Sequence, residues 1–158
     1  MSVYLAIKLI HILSATILFG TGLGTAFFML KTYLDRNQEA LAVTTRNVVL
    51  ADWIFTAPAV IVQLATGLWL TWYLGIPFGS VWSVLVAGLF IFVGACWLPV
   101  VWIQIKLRRI VSEGGDRAVF RTLMRTWMTL GILALSAVLI LFFLMVSRFG
   151  VDKLAFQS

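Results

Sequence analysis

The segment Leu74-Gly75-Ile76-Pro77-Phe78-Gly79-Ser80 interrupts an apolar run in which no charged residue occurs between Asp52 and Lys106. The run is more than fifty residues long, whereas a helix needs only about 20 residues to cross the hydrocarbon core of a bilayer. Glycine and proline are the residues that most often end a helix and form a turn. This segment therefore predicts a tight hairpin between two membrane-spanning helices.

Two further charge-free runs lie on either side of this hairpin, at 9–30 and 126–147, and each is long enough to span as a helix. The composition agrees, because 62% of the residues are hydrophobic and 11% are charged, against about 25% charged residues in soluble domains. We predict an all-α membrane protein with one four-transmembrane-helix bundle over residues 1–158. The expected helices are 3–33, 46–74, 81–111 and 117–149.

The cations are placed unevenly between the two ends of the predicted bundle. Nine of the twelve flank the first and third loops, and cytoplasmic loops are enriched in Lys and Arg. We therefore expect both of these loops in the cytoplasm and both termini on the outer, periplasmic side of a bacterial inner membrane. The net charge of +6 indicates contacts with lipid headgroups as partners, not nucleic acid, because the cations lie at the ends of apolar runs.

His11 is the one histidine of the chain and lies in the first span, one helical turn from Lys8. Centring each apolar run on the midplane puts Met145 of the fourth span at a similar depth, with Arg148 beside it. Imidazole and thioether groups ligate haem iron, and imidazole also binds copper. His11 is thus a candidate metal or haem b ligand, with Lys8 and Arg148 as contacts for anionic groups. A bis-His site would need a homo-oligomer, and the alternative is a histidine hydrogen-bonded within the bundle.

The second span carries a polar stripe at helical spacing, and polar side chains in a bilayer usually face the bundle interior. Its members are Asp52, Thr56, Gln63 and Thr66. Near the cytoplasmic ends we also expect Gln104, Lys31 and Arg125, and we expect Arg125 to form an ion pair with Asp52. Depth alignment places Gln63 at the midplane, well below His11. The stripe is either a set of packing contacts or the lining of a path for a small solute or ion.

Several segments together resemble a known family, and the likeness covers most of the chain. They are Lys8-Leu9-Ile10-His11, the glycines at 20, 22 and 24, Asp52-Trp53-Ile54-Phe55-Thr56-Ala57-Pro58 and Gln63-Leu64-Ala65-Thr66-Gly67. They look like an uncharacterised bacterial family of predicted four-helix integral membrane proteins, domain of unknown function 2269. The first span alone is distantly similar to copper-resistance D type proteins and to the membrane-bound protoporphyrinogen oxidase type, which holds haem b.

Three functions remain open from the sequence, and no catalytic residue is identified. The first is a haem or metal redox site at His11, and the second is a transport subunit lined by the polar stripe. The third is a membrane assembly or lipid-binding protein, in which the basic segment 106–125 engages anionic lipids.

Overall fold

The described part of the chain forms five α-helices and four candidate membrane spans. A computed structural model describes the backbone of residues 2–155 and the side chains of residues 2–147. The helices are α1 (Val3–Leu34), α2 (Gln38–Ala51), α3 (Ala57–Tyr73), α4 (Val81–Glu113) and α5 (Arg117–Ala155), and a π-helical turn, Asp52–Thr56, joins α2 to α3. Four helices of the described chain are long and apolar enough to cross a membrane, with α2, the π turn and α3 forming the second. The all-α, four-span prediction is confirmed.

Short capped connections join the spans in an up-and-down order. The Asn37 side chain accepts a hydrogen bond from the Ala40 N–H at the start of α2, and Ser80 accepts one from the Ser83 N–H at the start of α4. Gly75 and Gly114 adopt φ of +63° and +67°, which a residue without Cβ does at little cost. The described bundle therefore has a turn end, with the start of α1, the end of α5 and the 74–80 turn, and a basic end, with the other two connections.

The second span differs from the prediction, because it starts at Gln38 instead of residue 46. The polar segment after Asn37 is helical since Asn37 supplies an N-cap and Leu41 and Thr45 are buried. The span also contains a π turn, in which the Ala57 N–H bonds the Asp52 carbonyl five residues back. Pro58 follows directly and has no N–H to donate. The hydrogen bond that Pro58 cannot make is thus absorbed in one wide turn of a continuous helix.

A packed apolar core occupies the basic end. It is made of Met29, Leu41, Val48, Val100, Ile103, Leu107, Phe120, Met124 and Trp127. Side chains of all four spans meet there, so this end holds the bundle together. Across the bundle, the most extensive helix pairings are α4 with α5 and α1 with α3.

Aromatic contacts lie within these two helix pairs at the turn end. Tyr4 of α1 stacks on Tyr73 of α3, with ring centroids 5.4 Å apart, and Tyr73 stacks in turn on Trp69. The Trp82 indole N–H of α4 donates to the Leu144 carbonyl of α5 at 3.1 Å. Many large apolar side chains elsewhere on the helices are exposed, as expected of surfaces that face lipid.

We expect truncation of the core at the basic end to destabilise the bundle. Leu107→Ala removes a fully buried side chain. We expect it to lower the free energy of unfolding by about 2 kcal/mol, the low end of the range for such truncations. The low end applies because the surroundings of the bundle are themselves apolar, so the loss comes mainly from packing contacts. Leu98→Ala on the same helix removes a side chain that is 66% exposed and serves as the control. Thermal unfolding in detergent measures both, and equal effects would contradict the assigned core.

Candidate functional site

A polar cluster lies between α1 and α3, where the antiparallel register of the two helices aligns four side chains. Tyr4 stacks on Tyr73 near the turn end of the bundle. Seven residues deeper along each helix, His11 is hydrogen-bonded to Thr66. Ser14 and Gln63 face each other one turn deeper. Ser14 is buried and the other three are half-buried. We call His11, Ser14, Gln63 and Thr66 the histidine cluster.

Both ring nitrogens of His11 are hydrogen-bonded to α3. Its Nδ1 lies 2.8 Å from the Thr66 Oγ1, and its Nε2 lies 3.0 Å from the Gln63 Nε2. The Ser14 hydroxyl contacts the Gln63 Oε1 and the His11 carbonyl. An amide nitrogen only donates, so the His11 Nε2 accepts and the proton of the neutral ring lies on Nδ1. Thr66 accepts from Nδ1 and donates its own proton to the Val62 carbonyl at 2.6 Å.

The same side chains can satisfy a protonated His11 after one rotation. A half-turn of the Gln63 amide exchanges its oxygen and nitrogen, so that Oε1 accepts from the Nε2–H of the imidazolium. The amide nitrogen then donates to the Ser14 hydroxyl, whose own proton goes to the His11 carbonyl 2.9 Å away. The ring can therefore gain or lose a proton without leaving a buried polar group unpaired.

Gly67 lets α3 approach the imidazole closely. A Cβ at this position would lie 3.2 Å from the His11 Cε1, which is too close for relaxed packing. Gly67 follows Thr66, so the residue that bonds the ring and the residue that makes room for it are neighbours.

A second polar site lies in the π turn near the basic end. Asp52 is 5% exposed, and its Oδ1 accepts from the Thr56 hydroxyl at 2.9 Å. The Gln104 side chain of α4 lies against this carboxyl and is 3% exposed. Among the described residues, the Asp52 Oδ2 and the Gln104 Oε1 are buried and have no hydrogen-bond donor. The carboxyl and the amide thus each keep an unpaired acceptor, and a proton on Asp52 would supply the site with a donor. We call Asp52, Thr56 and Gln104 the aspartate site.

The structure corrects the depth alignment of the first two spans. Centring their apolar runs placed Gln63 well below His11, but the two side chains are bonded. The error is about five residues, or roughly 8 Å along a helix. Its cause is the connection Asp35–Asn37, which is so short that it fixes the register of α1 against the second span. Pairing the helices outward from this connection would have placed Gln63 and Thr66 near His11.

The prediction of an ion pair between Asp52 and Arg125 is wrong. Asp52 is buried, whereas Arg125 is exposed on α5. In the part of the chain whose side chains are described, the salt bridge present joins Lys31 to Asp35, one helical turn apart. Arg125 therefore does not belong to the polar interior, although Asp52, Thr56, Gln63 and Thr66 do make the polar contacts of the second span.

The residues predicted around a haem or metal ion are not assembled as a ligand set. Among the described residues, no group of three or more His, Cys, Asp and Glu side chains could hold a metal ion. Met145 is half-buried on α5, whereas both bonds of the His11 ring run to α3. Lys8 lies 5.6 Å from the Tyr4 ring centroid, and the Arg148 side chain lies outside the described residues. Ligation through His11 would require it to give up one of its bonds, so this arrangement does not fit a haem.

Comparison with known proteins identifies a family and nothing more specific. Residues 5–149 match the model of a family described as "Predicted integral membrane protein (DUF2269)". Curated proteins and solved structures give no significant match.

We predict that neutral His11 carries its proton on Nδ1. Ring ¹⁵N chemical shifts of the detergent-solubilised protein distinguish the two tautomers, and His11 is the one histidine that contributes. Gly67→Ala should push the ring away from α3 and mix the tautomers, whereas Gly24→Ala, with open space around its Cβ, should leave the spectrum unchanged. A proton on Nε2 in the wild type would contradict the assigned direction of the hydrogen bonds.

Proposed function

Since the chain belongs to the DUF2269 family of predicted integral membrane proteins, we propose that it is a proton-coupled transport subunit of the membrane. In this proposal Asp52 and His11 bind and release protons within the bilayer. The single observation that carries the proposal is the buried Asp52 carboxyl, one oxygen of which has no hydrogen-bond partner among the described residues.

The surroundings of Asp52 favour proton exchange over a structural ion pair. An ionised carboxylate inside a membrane span costs several kcal/mol unless a cation or several donors compensate it. Among the described residues, Asp52 accepts one hydrogen bond, from the Thr56 hydroxyl, and forms no salt bridge. A proton on Oδ2 would remove the charge and supply a donor for the Gln104 carbonyl. Ionisable residues in such positions often mark proton paths in pumps and transporters.

The histidine cluster supplies a second proton-binding group on the same span. Thr56 and Gln63 lie seven residues apart, or about 10 Å along the helix, and the interior face between them includes the buried Ala59. Histidine has the unperturbed titration range best suited to proton exchange near neutral pH. The two hydrogen-bonding states of Gln63 would allow His11 to exchange a proton in place.

The charge distribution supports one orientation of this path. The positive-inside rule places the basic end in the cytoplasm, so the aspartate site would lie near the cytoplasmic face and the histidine cluster near the outer face. In a bacterial inner membrane this arrangement would separate the two proton-binding groups across the bilayer. Both termini would then lie on the periplasmic side.

We expect Asp52→Asn and Gln63→Leu each to slow proton flux by about tenfold or more, since an amide cannot exchange the proton and Leu cannot bond His11. Purified protein in liposomes that contain a pH-sensitive dye, with an imposed potential, measures the flux. Asp116→Asn and Gln38→Leu make the same chemical changes at exposed positions and serve as matched controls; Asn at 116 also keeps an N-cap for α5. Flux that is unchanged in both interior variants, or equal to that of empty liposomes, would contradict the proposal.

A further inference from the structure

At the basic end of the bundle, a groove lies on its exterior between α2 and α4. Its volume is about 440 Å³, within the range of roughly 300 to 1,000 Å³ that is usual for small-molecule sites. The lining residues are Arg46, Asn47, Val49, Leu50, Trp53 and Arg108. We call it the Arg46–Arg108 groove.

The polar side of the groove attracts anions. Arg46 and Arg108 come from different helices and both are exposed, and none of the described acidic side chains lines the groove. Guanidinium groups bind phosphate oxygens through paired hydrogen bonds. Asn47 adds an amide donor beside them. Two cations and an amide around one space are complementary to a phosphate group.

The apolar side of the groove continues onto the surface that faces lipid. Leu50 and Trp53 are exposed, Trp53 by 62%, and Val49 forms part of the floor. Trp53 is the first residue of the charge-free run that ends at Ile105, whereas Arg46 and Arg108 lie just outside that run. The groove therefore lies at the level where a headgroup meets its acyl chains, and Trp commonly occupies that level.

We propose that the Arg46–Arg108 groove binds an anionic phospholipid. The two guanidinium groups hold the phosphate, Asn47 donates to a headgroup oxygen, and Trp53 with Leu50 packs against the first part of an acyl chain. This combination distinguishes a lipid from a free anion, which would gain nothing from the apolar side. The inference is independent of proton transport, because the groove and the two proton-binding groups share no residue.

Native mass spectrometry of the full-length protein, released from nanodiscs of mixed phosphatidylglycerol and phosphatidylcholine, tests the proposal. We expect the wild type to retain phosphatidylglycerol in preference to phosphatidylcholine. The double variant Arg46→Gln/Arg108→Gln should lose this preference by about tenfold or more, since it removes the direct charge-assisted hydrogen bonds to the phosphate. Arg117→Gln/Arg121→Gln removes two exposed cations of the basic end outside the groove and should change the preference little.

Four results would overturn the proposal. Equal retention of the two lipids by the wild type would show that the groove does not select anions. An equal loss in the control variant would mean that the basic end attracts anionic lipids without a specific site. Displacement of the lipid by inorganic phosphate alone would identify a free anion as the ligand, and a lipid-free dimer lost in the groove variant would identify a second copy of the chain. Circular dichroism of both double variants confirms that they are folded.

Discussion

Every polar group inside a bilayer must find its partner within the protein, because no water is present to replace it. In this chain the constraint acts mainly on the second span, which carries Asp52, Thr56, Gln63 and Thr66 through the apolar region. The partners come from two other spans. The first span supplies His11 and Ser14, and α4, which is the third span, supplies Gln104. The polar contacts thus specify which faces of these helices pack together.

The two sites share a composition but differ in how completely their bonds are made. Each combines an ionisable group with a threonine of the second span and a glutamine amide. In the histidine cluster every ring nitrogen has a partner, so the cluster also stabilises the pairing of α1 with α3. At the aspartate site two oxygens have no partner among the described residues, which costs free energy unless a donor such as a carboxyl proton is supplied. The π turn that carries Asp52 is a local irregularity of a kind often found at functional sites.

The sequence predicted the number, type and order of the spans because membrane helices follow from apolar length alone, and three of the four began at the predicted residue. It also identified most of the polar residues that form the two sites. It did not predict their pairing, because centring each apolar run ignores the short connection that fixes helix register. The Asp52–Arg125 pair failed for a related reason: similar depth on two helices does not place two side chains on facing surfaces. Gly67 was part of a motif, but its role depends on the His11 ring position, which no local pattern encodes.

Proton transport by this chain would depend on an exchangeable proton that Asp52 holds inside the bundle. Infrared spectroscopy of the reconstituted protein at neutral pH tests it directly, because the C=O stretch of a protonated carboxyl is separate from the bands of a carboxylate. We expect such a band in the wild type, its loss in Asp52→Asn, and its persistence in Asp116→Asn. We also expect a shift of the band in Gln104→Leu, where an acceptor near the carboxyl is removed. A wild-type spectrum that lacks the band, identical to that of Asp52→Asn, would show that Asp52 is ionised and would contradict proton exchange at this site.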